Sequence, residues 1–301
     1  MKLVISASPH IDSGATTRKI MGDVLIALCP ALIAAIVIFG WRALLVTAVC
    51  AAACVFFEWG FEKLCHKPST IDDLSAVVTG VILAYNLPVS IPLWQAVFGC
   101  LVAIVAVKQL FGGIGKNFAN PALVGRIVLF LSFSKTMTAW VFPDAVSSAT
   151  PLAQLAAGQK PELWTLLLGN HGGCIGETCA LALLLGGAYL LLRGVITWQT
   201  PVCFDGTVFV LSLILGQDAV RQILSGGLLL GAFFMATDYV TAPQTCWGRA
   251  LFGIGAGLLT CLIRFYGSYA EGVSFAILFM NILTPYLSKW TRSKPLGGVP
   301  A

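Results

Sequence analysis

The sequence predicts an all-α polytopic membrane protein of about ten transmembrane helices, some short or broken, with a faint two-repeat pattern. Three observations carry this expectation. Only 10% of the 301 residues are charged while 58% are hydrophobic, and mean hydropathy is +0.89; a water-soluble domain holds about 25% charged residues. Apolar runs such as "VLIALCPALIAAIVIFG" (24–40) and "CALALLLGGAYLLL" (179–192) are of the kind that crosses hydrocarbon, which takes about 20 mostly apolar residues. The 31 glycines suit close helix packing in lipid, where small residues let backbones approach.

Residues 1–22 read as a cytoplasmic arm. "MKLVISASPHIDSGATTRK" lacks the apolar core of a cleavable signal, and Arg18–Lys19 sit just ahead of the first span. Thr16 or Thr17 is placed to cap the first helix while the two cations meet lipid phosphates. A first membrane half (23–133) follows, with spans at 23–40, 43–64, 74–90, 92–111 and 121–133. "LAYNLPVSIP" (83–92) breaks the third from the fourth, as is tolerated where helix ends are buried in protein or line a cavity. One long connection, 134–173, leads to a second half (174–287) with spans at 174–193, 203–216, 222–236, 248–265 and 271–287. Residues 288–301 read as a cytoplasmic tail.

The cations set the expected orientation. Arg18, Lys19, Lys63, Lys67, Lys116, Arg126, Arg193, Arg249, Lys289, Arg292 and Lys294 fall where ten spans put one side of the membrane. By the positive-inside rule that side is cytoplasmic, both termini are inside, and the 134–173 loop faces outward. Arg264, near the outer end of the ninth span, does not fit. The net charge of +5 is juxtamembrane, with no basic stripe and interleaved aromatics to suggest nucleic acid.

The repeat signal lies in "GGIGKNFANPALVGR" (112–126) and "GGLLLGAFFMATDYVTAPQTCWGR" (226–249). Both run from Gly-Gly through a polar break and a proline to Gly-Arg, as related halves flanking a midplane site would. None of the ten cysteines forms a C-x-x-C pair, so most read as small apolar packing residues. A cluster shared with another subunit stays open.

Two patches end in a threonine beside small residues: "DSGATTRKI" (12–20) and "DAVSSATPL" (144–152). The second resembles the flavinylation motif D-[AG]-x-[ST]-[SG]-A-[ST], on which a flavin transferase links FMN to threonine through its phosphate. Asp144, Ser147, Ser148 and Ala149 match around the acceptor Thr150, with Ser148 standing where glycine is common. For Thr16 the aspartate position holds His10, so the first patch fails on spacing. A phosphoester needs a hydroxyl acceptor, and small neighbours let an extended segment enter the transferase. The bond leaves the flavin ring electronically untouched and retains the cofactor by proximity. The alternative is an ordinary turn ahead of Pro151, since a residue before proline favours extended geometry.

The resemblance extends over nearly the whole chain. "SPHIDSGATTRKIMGDVLIALCPAL", "GKNFANPALVGR", "LLLGNHGGCIGETCALALLLGGAYLLLRGVITWQTPV" and "IRFYGSYAEGVSFAILFMNILTPYLSKWTR" are similar to the D subunit of the bacterial Rnf electron-transport complex. The B subunit of the sodium-pumping NADH:quinone reductase is a relative with a longer N-terminus. The resemblance implies a redox-carrier subunit of a bacterial inner-membrane translocase exchanging electrons between ferredoxin and NAD, coupled to sodium or proton movement. Its implied partners are the other membrane and peripheral subunits and the flavin transferase. Its implied cofactors are covalent FMN and a second, noncovalent flavin such as riboflavin. No complete reaction by this chain alone is expected. The alternatives are the B-type subunit and a small-solute channel or transporter without redox work, because fold alone does not decide function.

For the second flavin, the polar residues of the echoing segments are the candidates: Asn117 and Asn120 in "NFAN", Thr237 and Asp238 in "MATD". Arg18 matches a family cation near this region. Such groups at membrane depth call for partners, and an asparagine amide can both donate to and accept from a flavin's pyrimidine edge. Equally, Asn120 and Asp238 read as caps of broken helices. Glu177 is expected at the start of the sixth span. Glu58 and Glu62 are expected near the cytoplasmic surface with Lys63, and Asp205 and Asn281 along an ion path. Trp140, Trp164 and Trp198 read as interfacial anchors and His171 as a loop residue.

Overall fold

A computed structural model describes residues 15–140, 150–267 and 272–292. Among them every regular element is helical. The first half comprises α1 (Thr17–Phe39), α2 (Trp41–Leu64), α3 (Ser75–Tyr85), α4 (Leu93–Leu101) continued by a π-helical segment (Val102–Gln109), and α5 (Pro121–Ser132). Short helices α6 (Ser134–Met137), α7 (Pro151–Ala156) and α8 (Leu163–Leu168) occupy the long connection. The second half has α9 (Ala180–Leu192), α10 (Gln199–Ile214), α11 (Ala219–Leu224) and α12 (Leu228–Leu230) running into a π segment (Gly231–Met235). It ends with α13 (Cys246–Tyr266) and α14 (Val273–Trp290).

Helices α1, α2 and α13 are long and apolar enough to cross a bilayer by length and composition. Helices α3 and α5, of 11 and 12 residues, rise about 18 Å or less at 1.5 Å per residue, well short of about 30 Å of hydrocarbon. Their ends therefore stop inside the protein, where other groups must satisfy the backbone.

Three departures from the expected spans have a visible cause. Helix α1 begins at Thr17 because Thr16 caps it, its hydroxyl accepting from Lys19 N at 3.3 Å. The sixth span is expected from 174, but α9 starts at Ala180. Residues 174–179 form a buried loop instead, held by Ile175 N to Leu87 O and Gly176 N to Tyr85 O, both 3.0 Å. Only glycine permits that approach: a Cβ on Gly176 would lie 2.3 Å from the Tyr85 side chain. Tyr85 cannot yield easily, being 1% exposed and donating its hydroxyl to Leu28 O at 2.8 Å. Gly176→Ala is expected to destabilise the protein by about 1–3 kcal/mol through overpacking, read as a lowered midpoint in a detergent thermal melt.

The eighth span, expected unbroken from 222 to 236, is split between α11 and α12. Arg264 explains both the split and its own misfit. Its guanidinium donates to Gln222 O at 2.7 Å and to Ser225 O at 3.0 Å, replacing the helical bonds lost there. Arg264 is thus bound to backbone within the protein.

Helix α1 packs on α9, and α5 on α14, joining the two halves. Helix α3 and the 226–238 segment run in opposite senses between two cavities. Residues Ser75, Val78 and Ile82 of α3 line one cavity, and the chain leaves α3 towards the 171–177 loop that lines another. The second half's counterpart begins at Gly226 on the cavity of the 171–177 loop and ends at Thr237 and Asp238 on the cavity that α3 lines. The echo seen in sequence does not map residue for residue. Gly112–Gly113 follow a π segment, whereas Gly226–Gly227 precede one. Both polar breaks nevertheless reach the same cavity.

Candidate functional site: two cavities joined by helix α5

Thr150 lies at the N-cap of α7, its Oγ1 accepting from Ala153 N at 3.3 Å. It lines a cavity of about 170 Å³ shared with Arg126, Trp140, His171, Glu177 and Ser274. Asp144, Ser147, Ser148 and Ala149 lie outside the described residues. Arg126 is 4% exposed and donates to Asn86 Oδ1 at 2.9 Å and Ser274 Oγ at 2.8 Å. The sequence places it among the cytoplasmic-side cations; instead α5 carries it into the interior, against Thr150's cavity. Glu177 does not sit in a first helical turn but three residues ahead of α9, with Oε1 accepting from Cys174 N at 2.9 Å. Its Oε2 is buried without a hydrogen-bond partner among the described residues. His171 is a loop residue, as expected. Burial holds its imidazole below the ordinary value against the opposing pull of the Gly172 carbonyl and Glu177. Trp164 and Trp198 are exposed, as interfacial anchors would be, whereas Trp140 faces the cavity.

The second cavity, about 360 Å³, gathers Asn117, Asn120, Thr237 and Asp238 as the sequence suggested, between apolar walls that include Val78, Ile82 and Phe233. Asn120 caps α5, Oδ1 accepting from Ala122 N at 3.0 Å, while its Nδ2 reaches Met235 O at 3.5 Å. Asp238 caps a turn rather than a helix: Val240 N donates to Oδ1 at 3.4 Å and Thr241 Oγ1 to Oδ2 at 3.0 Å. The Thr237 hydroxyl donates to Phe233 O at 2.7 Å. Asn117 Oδ1 is buried and unpartnered among the described residues. Arg18 is exposed on the first turn of α1; its neighbour Thr17, not Arg18, lines the cavity.

Sequence reasoning missed Lys108, which also lines this cavity. Its Nζ donates to both Glu58 oxygens at 2.7 and 2.8 Å and to Ser75 Oγ at 2.6 Å. Glu58 is 0% and Glu62 3% exposed, so neither is a surface residue beside Lys63. Thr70 links them, its hydroxyl donating to Glu58 and its amide to Glu62. The available signal was a lone lysine in the apolar run "LWQAVFGCLVAIVAVKQ" together with a glutamate inside another span, since charges at membrane depth tend to pair.

The residues present fit two flavin environments. An orphaned carbonyl oxygen on Asn117 and the Asp238 carboxylate, set against apolar walls, suit a planar heterocycle with N–H donors. A hydroxyl, a guanidinium and an indole around the first cavity suit a phosphate ester and its ring. No group of three or more His, Cys, Asp or Glu positioned to hold a metal occurs among the described residues.

A model of the NQR2, RnfD, RnfE family matches residues 4–297. The chain belongs to this family. Among the relatives, the D subunit of the Na(+)-translocating ferredoxin:NAD(+) oxidoreductase complex of Acetobacterium woodii is 46% identical, covering 99% of this chain and 96% of that protein. The D subunit of the proton-translocating ferredoxin:NAD(+) oxidoreductase complex of Clostridium ljungdahlii is 41% identical, covering 97% of this chain and 96% of the relative. The D subunit of the ion-translocating oxidoreductase complex of Actinobacillus succinogenes is 34% identical over 97% of both. Family membership agrees with an all-helical membrane protein and with the sequence resemblance to the Rnf D subunit.

Proposed function

We propose that this chain is a membrane electron-carrier subunit of an ion-translocating ferredoxin:NAD oxidoreductase complex. It carries FMN phosphoester-linked to Thr150 and holds a second, noncovalent flavin, riboflavin, in the cavity of Asn117, Asn120, Thr237 and Asp238. The observation that carries the reading is that Thr150, the last residue of the D-A-V-S-S-A-T motif, opens on a cavity walled by Arg126 and Trp140. Bound flavins would supply the acceptance and release of electrons. The protein's own contribution is placement: Arg126 sets a cation beside the acceptor, the Asn117 and Asn120 amides orient a heterocycle edge, and apolar walls exclude water.

A bacterial inner membrane is its proposed setting, and the distribution of Lys and Arg supports cytoplasmic termini and an external Thr150 loop. The other subunits of the complex are its partners, and a flavin transferase matures it. The Acetobacterium relative is named for sodium and the Clostridium relative for protons, and the coupling ion here is one of the two.

Intact mass tests the first site. The chain co-expressed with a flavin transferase is expected to weigh its polypeptide plus one FMN less water, and a bare polypeptide mass overturns the reading. For the second site, Asn120→Ala and Asp238→Ala are each expected to lower acid-extractable riboflavin about tenfold, on the scale of one lost polar contact near 1.4 kcal/mol. The covalent adduct should persist in both. Unchanged riboflavin in both variants would leave Asn120 as a helix cap and Asp238 as a turn cap only.

A further inference from the structure

We propose that Asn86 couples the two cavities, so that filling one changes the affinity of the other. The inference rests on the reading of both cavities as flavin sites. Its basis is a continuous line of buried polar contacts between them.

Helix α5 touches both cavities, Pro121 lining one and Arg126 the other, five residues or about 7.5 Å apart along the axis. Between them stands Asn86, 1% exposed, the residue that ends α3. Its Oδ1 accepts from Arg126, on the Thr150 cavity, at 2.9 Å. Its Nδ2 donates to Ile82 O at 2.7 Å and to Met235 Sδ at 3.4 Å. Ile82 lines the second cavity, and Met235 immediately precedes the turn that presents Thr237 and Asp238 there. Met235 also takes the Asn120 amide on its own carbonyl.

The chemistry fixes the orientation of the Asn86 amide. A guanidinium only donates and a main-chain carbonyl only accepts, so the oxygen must face Arg126 and the nitrogen Ile82. Rotating the amide breaks both ends together. Arg126 therefore cannot move towards an anionic group at Thr150 without changing what holds Asn86, and through it the packing of Ile82 and Met235. This is a two-sided contact in which each cavity biases the same side chain, the requirement for a coupling energy that acts reciprocally. Asn86 is a positioning residue: it lines neither cavity.

The test measures binding, not turnover. The full chain, within its detergent-solubilised complex and stripped of extractable flavin, is prepared with covalent FMN and as Thr150→Val. Riboflavin Kd is read for each by equilibrium dialysis with radiolabelled riboflavin. The two forms are expected to differ by about fivefold or more, the lower end of ordinary coupling. In Asn86→Leu, which keeps the branched shape but no hydrogen bonds, the ratio is expected to fall to within about twofold of one. Met235→Leu, a milder change suited to the case in which Asn86→Leu does not fold, should reduce the ratio without abolishing riboflavin binding. A ratio of one in the parent chain, or an undiminished ratio in both variants, overturns the proposal. Riboflavin binding to none of the forms instead sinks the second-cavity reading and removes the coupling with it. The two failures are thereby distinguishable.

Discussion

Lys108→Met is expected to cost about 3–5 kcal/mol of stability, the scale for removing one partner of a buried ion pair. The side chains of Lys108 and Glu58 are 3% and 0% exposed, and Nζ lies 2.7 Å from the nearer carboxylate oxygen. Without the ammonium, Glu58 keeps, among the described residues, the Gln109 amide at 3.0 Å and the Thr70 hydroxyl at 3.0 Å for its charge. Glu58→Gln alone should also destabilise, by stranding the ammonium beside Ser75. The double variant should recover much of either loss, because two neutral groups of similar shape leave no uncompensated charge. Thermal melts of the four proteins in one detergent form the cycle. Additive losses would show that the pair is not the source of the penalty.

Thr150→Val should remove all covalent flavin, seen as loss of the fluorescent band on a denaturing gel. The same substitution deletes the cap of α7, a further cost of about 1 kcal/mol. Thr150→Ser separates the two effects, since serine keeps both the acceptor hydroxyl and the cap; the band should remain. Thr16→Val should leave the band unchanged, because Thr16 caps α1 by accepting from Lys19 N and lacks the aspartate six residues earlier. A band lost in Thr16→Val and retained in Thr150→Val would reverse the assignment.

What can be read from the sequence depends on the range of the interaction. Local signals are legible: the Thr16 cap, the Asn120–Pro121 helix start and the interruption after Tyr85 are all written within a few residues. The gathering of Asn117, Asn120, Thr237 and Asp238 into one cavity is legible because polar groups at membrane depth seek company, whatever their separation in sequence. What cannot be read are partners chosen by packing. Nothing near Arg126 announces Asn86, 40 residues away, and nothing near Arg264 announces the carbonyls of Gln222 and Ser225. Membrane side alone is a poor guide to both arginines, since Arg126 is buried and Arg264, half-buried, is bound to main-chain carbonyls. Glu58 misleads for the same reason: its neighbour in sequence is Lys63, but its partner is Lys108, 50 residues on.

The two π segments have a further consequence. Leu110 N reaches back five residues to Val105 O at 3.0 Å, and Ala236 N to Gly231 O at 2.7 Å, so each segment is wound one residue looser than an α-turn. Such a winding takes up one residue more per turn than the regular coil, so the faces on either side keep their direction despite the surplus residue. Rewinding either stretch as unbroken α-helix at the same chain length would instead swing everything downstream by about 100° at 3.6 residues per turn. Thr237 and Asp238 would then turn away from the cavity they share with Asn120. The loosened winding is therefore as much a determinant of which groups face inward as the identity of the groups themselves.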